Sequence, residues 1–335
     1  MKRYGNLYAK IIDKDNIRLA HHNARKGKTF YKEVKLVDSD IERYVDEIHT
    51  MLKDGSYQIS DYKTFIKNDS GKEREIFVLP YYPDRIIQWA IVQICEPIWM
   101  KSLIHQTYSS LPGRGIHQAL YHLKRDIRKH PDETTYCLKF DIRKFYPSIN
   151  HTILKLTIRQ KIKDIRLLDL LDKIIDSTEG VPIGNYLSQF FGNLYLGEFD
   201  HWCKENMGIR YYYRYCDDIV ILHNNKQYLH NLLDEIKHYL SVKVNLNLKS
   251  TYQIFPVSCR GIDFLGYRIF PNYILLRKRI CKNMKQKLKR MNMFTELTNR
   301  DKNIIASYNG WLKWGNCKRL RTKYITCILC KEVIL

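Results

Sequence analysis

The stretch YRYCDDIVIL, Tyr213 to Leu222, constrains this chain more than any other. Tyrosines open it, four aliphatic residues close it, and both runs favour extended backbone. Two adjacent carboxylates between such runs belong at a turn, so Asp217 and Asp218 are expected at the tip of a hairpin and outside its ladder. Like charges side by side repel. At least one of the pair therefore needs a strong positive partner, and a metal ion could be that partner.

At 335 residues the chain can bury a sizeable core and divide into two or three subdomains. Hydrophobic residues make up 44%, no apolar run approaches the length of a membrane span, and the start MKRYGNLYAKIIDKD lacks the apolar block of a signal peptide. A cytoplasmic location without a membrane partner is expected. Nine scattered cysteines suit a reducing compartment and argue against a disulfide framework. Cys327 and Cys330 have metal-type spacing, but no second Cys or His pair completes a tetrahedral zinc site.

The formal charge of +22 points to polyanionic partners, because each neutralised phosphate releases a counterion. Its arrangement matters more than its size. From Pro271 to the end there are sixteen Lys or Arg and three acids, interleaved with Tyr and Trp.

Residues 1–55 read as an N-terminal extension with one helical pattern, SDIERYVDEIHTMLKDG, which Ser39 can cap and Gly55 can end. A strand pair turning at NDSG follows, then an amphipathic helix from about Arg85 to Met100 with Pro97 near its end. Another helix is expected over Ile116 to Lys129, a strand over YCLKF, helical pattern over HTILKLTIRQKIK and RLLDLLDKIIDST, and a long helix after GVPIG. Beyond the YCDD hairpin come a helix around Gln227 to Leu240, the strand-like GIDFLGYRIFPNYILL, and a basic, mostly helical remainder. The fold class is α+β, without regular βαβ alternation.

Asp141 closes the YCLKF strand 76 positions before Asp217. Three carboxylates from two strand ends can hold a pair of Mg²⁺ ions, which keep waters and substrate phosphates in their shells. Mn²⁺ would suit the same oxygens.

In its order of motifs, FDIRKFYPSI, then a glycine-led GxxxS segment, then YCDD, then FLGYRIF at Phe264 to Phe270, the chain resembles the reverse transcriptases. REIFVLPYYPDRIIQWAI, Arg74 to Ile91, is similar to their fingers region. The resemblance covers about residues 60 to 335. It implies a right-hand polymerase fold with fingers and palm over 56–270 and a basic helical thumb and tail over 271–335. The activity implied is RNA-directed DNA polymerisation from deoxynucleotides on an RNA template and primer, giving cDNA. By position, Asp141, Asp217 and Asp218 resemble the metal ligands, with the main-chain carbonyl of Ile142 as a further one. Tyr146 resembles the aromatic gate that excludes a 2′-hydroxyl. Lys72 and Arg74 resemble residues that grip the triphosphate, and Arg114 in LPGRG, with Lys285, Lys289 and Arg290 in the basic region, is expected to meet nucleic acid.

VPIGNYLSQ, Val181 to Gln189, discriminates among relatives. Most carry QGxxxSP, whereas here Ile183 precedes Gly184 and Gln189 follows the serine. The pattern IGxxxSQ resembles reverse transcriptases of diversity-generating retroelements, which copy a template-repeat RNA with errors at adenines and work with a small basic helical accessory protein. An aliphatic Ile183 beside the nucleotide would leave selectivity to packing, which is worth about 1–3 kcal/mol per small group. The competing expectations are a group II intron-like or phage-defence reverse transcriptase and, from another class, an inactive RNA-binding scaffold. An RNA-dependent RNA polymerase fits less well with Tyr146 at the gate. Trp311 and Trp314, three apart, are expected to pack rather than to stack on bases.

Overall fold

The computed structural model describes residues 2–69, 72–294, 296–326 and 328, so Cys327 and Cys330 lie outside the described residues. The chain divides into two compact units. The first comprises Met1–Leu111, Ile142–Gly208 and Ile236–Lys249, and the second Pro112–Asp141, Ile209–Glu235 and Ser250–Leu335.

The first unit is mainly helical. Its N-terminal residues form more helix than their composition suggests, because Asp13 caps Lys14–Ala24 by accepting from the Asp15 and Asn16 amides. The expected cap at Ser39 is corrected by one residue. Asp40 caps Ile41–Asp54, while the Ser39 hydroxyl donates to the Leu36 carbonyl and closes a preceding helix, Lys32–Ser39. Gly55 ends the capped helix in the left-handed region, at φ 74°.

The helix Ile86–Met100 differs from its amphipathic expectation, since Ile87, Ala90, Ile91, Val92, Cys95 and Trp99 bury most of its circumference. It is a central helix rather than a surface one. Asn16 donates to its Ala90 carbonyl at 3.2 Å, and Trp99 meets Phe190 of the helix Tyr186–Tyr195 at 5.5 Å. An antiparallel hairpin, β1 (Lys63–Asp69) and β2 (Lys72–Val78), runs in register from Lys63 opposite Val78 to Asp69 opposite Lys72.

The second unit is built on a four-stranded antiparallel sheet of β3 (Tyr136–Asp141), β4 (Tyr211–Tyr215), β5 (Asp218–His223) and β6 (Gln253–Pro256), in the order β4-β5-β3-β6. Cys137, Leu138 and Phe140 of β3 and Ile219 to Leu222 of β5 are buried on both faces. That explains the unbroken aliphatic run. The helix Ile116–Lys129 lies in the same unit, burying Ala119, Leu120, Leu123 and Ile127, and its Asp126 accepts from the Tyr213 hydroxyl at 2.6 Å.

GIDFLGYRIFPNYILL splits into β7 (Ile262–Phe264), β8 (Tyr267–Ile269) and β9 (Ile274–Leu276), which form a separate antiparallel sheet. FLGYRIF is therefore two strands and a turn. Leu265 and Gly266 both have positive φ, 54° and 85°, which is what a two-residue turn needs to reverse the chain. The helices Lys278–Met291 and Asn299–Lys313 follow. Trp311 lies 5.4 Å from the Tyr267 ring and Trp314 stacks on His117 at 4.6 Å, so both indoles pack within the unit. Among the described residues, no helix is long and apolar enough to cross a membrane.

Candidate active site

The carboxylates assemble at one end of the β3–β5 ladder. Asp141, the last residue of β3, is the register partner of Asp218, the first residue of β5. The expectation that both aspartates of YCDD lie outside the ladder is corrected for Asp218, which also pairs with Tyr215 of β4. The turn is Cys216-Asp217, and Cys216 takes φ 58°, the sign a two-residue hairpin requires at its first central position. Only two residues reverse the chain, which leaves Asp218 inside the sheet.

Two basic residues that sequence reasoning missed shape this corner. Arg214 on β4 is fully buried, and its guanidinium donates to the Cys216 carbonyl at 3.1 Å. It holds the turn that carries Asp217. Lys139 on β3 stands 3.4 Å from Asp218 Oδ1 and donates to the main-chain carbonyl of Asp263. The signals were present in outline: Lys139 is two residues before Asp141 and so shares its strand face, and an arginine inside a buried tyrosine run needs a polar partner.

Asp218 Oδ1 is buried without a hydrogen bond. Burial pushes the Asp218 carboxyl up to about 7, the charges of Asp141 and Asp217 push the same way, and Lys139 opposes them. The set fits a hard divalent cation: oxygen donors, accumulated negative charge, and one buried oxygen that faces the Lys139 ammonium without a hydrogen bond. It is not a ready-made cage, because among the described residues no three His, Cys, Asp or Glu side chains gather closely enough to hold an ion. Mg²⁺ needs less, one or two carboxylates with waters and substrate phosphates. Beside the aspartates lies a polar cavity of about 210 Å³ lined by Lys139, Asp141, Gln253, Arg260, Asp263 and Arg268.

Within the first unit the structure brings Tyr146, Ile183 and Gly184 into one neighbourhood with β2. The Val181 amide donates to the Tyr146 carbonyl at 2.9 Å, and Phe77 of β2 donates to the Ile183 carbonyl at 2.8 Å. Gly184, at φ 131°, passes so close to β2 that a Cβ would lie 2.2 Å from the Phe77 carbonyl oxygen. A glycine is obligatory there. A Cβ on Gly192 would sit 3.1 Å from the Tyr146 ring, so the missing side chain gives that ring its place. Gln88, also missed, accepts from the Tyr186 and Leu187 amides and so caps the helix that carries Gln189.

The other expected residues are more dispersed. Gln189 and Arg74 are exposed, Arg114 is half-buried in its loop, and the side chain of Lys72 lies outside the described residues. Ile142 is buried and bridges Leu248 through its main chain. Lys285 and Lys289, with Lys278 and Lys282, line a groove of about 470 Å³ floored by Leu276, Cys317 and other apolar residues, and Arg290 is exposed on the same helix.

Known proteins resemble this chain in sequence and in fold. Protein YkfC of Escherichia coli is 27% identical over 275 residues, covering 68% of this chain and 70% of YkfC. The group II intron-encoded protein LtrA of Lactococcus lactis is 26% identical over 212 residues, covering 59% of this chain and 35% of LtrA. Among solved structures, telomerase from Candida albicans with a fragment of telomeric RNA superposes with a TM-score of 0.52 at 12% identity, covering 83% of this chain and 57% of that one. Apo telomerase from Candida tropicalis gives 0.51 at 14%, covering 82% and 62%. The chain spans about a third of LtrA and about three-fifths of the telomerases. These structural likenesses show a shared fold of helices and sheets. The profile described as Reverse transcriptase (RNA-dependent DNA polymerase) matches residues 65–269, and the chain belongs to that family.

Proposed function

We propose that the chain is an RNA-directed DNA polymerase that adds deoxynucleotides to a primer 3′-hydroxyl on an RNA template. One observation carries the reading: Asp141 and Asp218 are register partners on adjacent strands, Asp217 stands in the adjoining turn, and Asp218 keeps a buried oxygen without a hydrogen bond. When bound, two Mg²⁺ ions would lower the pKa of the attacking hydroxyl and steady the leaving pyrophosphate. The three aspartates, with the Ile142 carbonyl as a further donor, would hold these ions. Arg214 keeps the turn presenting Asp217 in one conformation. By family position Tyr146 excludes a 2′-hydroxyl, Lys72 and Arg74 grip the triphosphate, and Gly184 and Gln189 belong to the nucleotide-binding segment. Arg114, in fingers and palm over 56–270, and Lys285, Lys289 and Arg290, in a thumb and tail over 271–335, take the nucleic-acid backbone, and residues 1–55 form an N-terminal extension.

The finer reading is error-prone cDNA synthesis in a diversity-generating retroelement, with a small basic helical accessory protein. Ile183 and Gln189 in VPIGNYLSQ support it. The likeness to an intron-encoded protein favours the second reading, a group II intron-like enzyme. Primer extension on an RNA template with Mg²⁺ tests the activity. Asp217→Asn is expected to lose at least roughly 10³-fold of the rate, the scale of removing a main electrostatic stabiliser. Equal extension by the variant would remove the assignment. Sequenced products decide the finer reading: errors gathered at template adenines, reduced by Ile183→Gln, support diversity generation, and accurate products support the intron-like enzyme.

A further inference from the structure

Lys139 and Asp141 are two residues apart on β3 and share one face of the strand. The Lys139 side chain is only 17% exposed, so it is not a solvated surface lysine. Its ammonium donates to the main-chain carbonyl of Asp263 and forms an ion pair with Asp218, 3.4 Å from the buried Oδ1. The Asp263 carboxylate is engaged separately, by Arg277 at 2.7 and 2.6 Å. Lys139 thus places a fixed positive charge against a carboxylate that otherwise faces two others.

We propose that Lys139 is a built-in counter-ion of the carboxylate site, a positioning residue that holds Asp218 in place and sets how weakly a divalent ion binds there. The inference rests on the reading of Asp141, Asp217 and Asp218 as divalent-ion ligands. A cation a few ångströms from a ligand oxygen repels an arriving ion, which must displace the ammonium or share the carboxylate with it. The tie to Asp263 keeps the ammonium from swinging freely into solvent. Affinity for the ion is therefore lower than the carboxylates alone would give, while their mutual repulsion is relieved when no ion is bound.

The test is direct binding of Mn²⁺ to the full chain, followed by the electron paramagnetic resonance signal of the free ion, without nucleic acid or nucleotide. Lys139→Met and Lys139→Gln both remove the charge, and the second keeps a donor for the Asp263 carbonyl. Both are expected to bind Mn²⁺ about ten-fold more tightly than the parent, and Lys139→Arg to stay within about two-fold of it. Unchanged or weaker binding in the two neutral variants overturns the inference. Equal tightening in Lys139→Arg also overturns it, because the charge would then be irrelevant. Asp217→Asn separates this failure from that of the underlying reading: if Mn²⁺ binding is indifferent to Asp217, the carboxylate site itself is wrong and the inference falls with it.

Discussion

Two hairpins of the second unit reverse in two residues, Cys216-Asp217 between β4 and β5 and Leu265-Gly266 between β7 and β8, and each begins its turn with a non-glycine residue at positive φ. Such a conformation costs on the order of 1 kcal/mol for a side chain with a Cβ. The two turns offset it differently. Leu265 is 9% exposed, and Gly266 lies under Trp311 and Ile280, so apolar packing secures that hairpin. Cys216 and Asp217 are half-buried, and the anchor is polar, from the buried Arg214 guanidinium to the Cys216 carbonyl. Apolar sealing of that turn would disfavour a charged carboxylate there, as burial in the sheet already does for Asp218. Polar anchoring of the backbone leaves Asp217, in the turn itself, half-buried and not sealed.

The packed turn should break more violently. A Cβ at Gly266 would meet the Trp311 ring at 2.6 Å and Ile280 at 2.9 Å, at a φ of 85° that side chains rarely adopt. Gly266→Ala is expected to lose about 3 kcal/mol from overpacking and strain combined. Urea unfolding measures it, and a loss below about 1 kcal/mol would show that the indole yields easily.

The buried carboxylate next to the other turn should respond with the opposite sign. The folded state raises the Asp218 carboxyl to about 7, above its unfolded value, so its contribution to stability is full below the unfolded value and is lost as pH rises through the folded one. Without divalent ions, Asp218→Asn is therefore expected to be more stable than the parent at pH 8, by on the order of 2 kcal/mol, with the advantage vanishing near pH 4. Melting temperatures across that range, in chelator, read the difference. Added Mg²⁺ should close the gap by stabilising the parent alone, and a pH-independent difference would mean that the charge of Asp218 is not the cause.

The same contrast explains what the sequence could convey. Strand and helix patterns over YCLKF, Ile116 to Lys129 and YRYCDDIVIL are local, set by side-chain periodicity, and they located the carboxylates. Whether Asp218 lies in a ladder or at a tip depends on turn length, and a one-residue difference in a cap or turn is invisible to periodicity, as Ser39 and Asp40 also show. FLGYRIF read as one strand because Leu265 is a poor turn former, and its positive φ is tolerated only through the burial that tertiary packing supplies. Lys139 and Arg214 carried no motif of their own. Their importance lies in partners more than seventy residues away for Lys139 and in complete burial for Arg214, and neither is encoded in spacing.

The sharpest form of the comparison makes one substitution at the same position of both turns. Glycine relieves the strain of positive φ and costs about 0.5–1 kcal/mol in unfolded-state entropy, so those two effects nearly cancel. At Cys216, where the side chain is half-buried and the anchor is the backbone carbonyl, Cys216→Gly is expected to change stability by no more than about 0.5 kcal/mol. At Leu265 the same change removes a buried isobutyl group, and Leu265→Gly is expected to lose about 2 kcal/mol. Chemical unfolding of the two variants side by side gives the difference. If Cys216→Gly proves as damaging as Leu265→Gly, the Cys216 side chain is itself part of the anchor, and Arg214 alone does not hold the turn that carries Asp217.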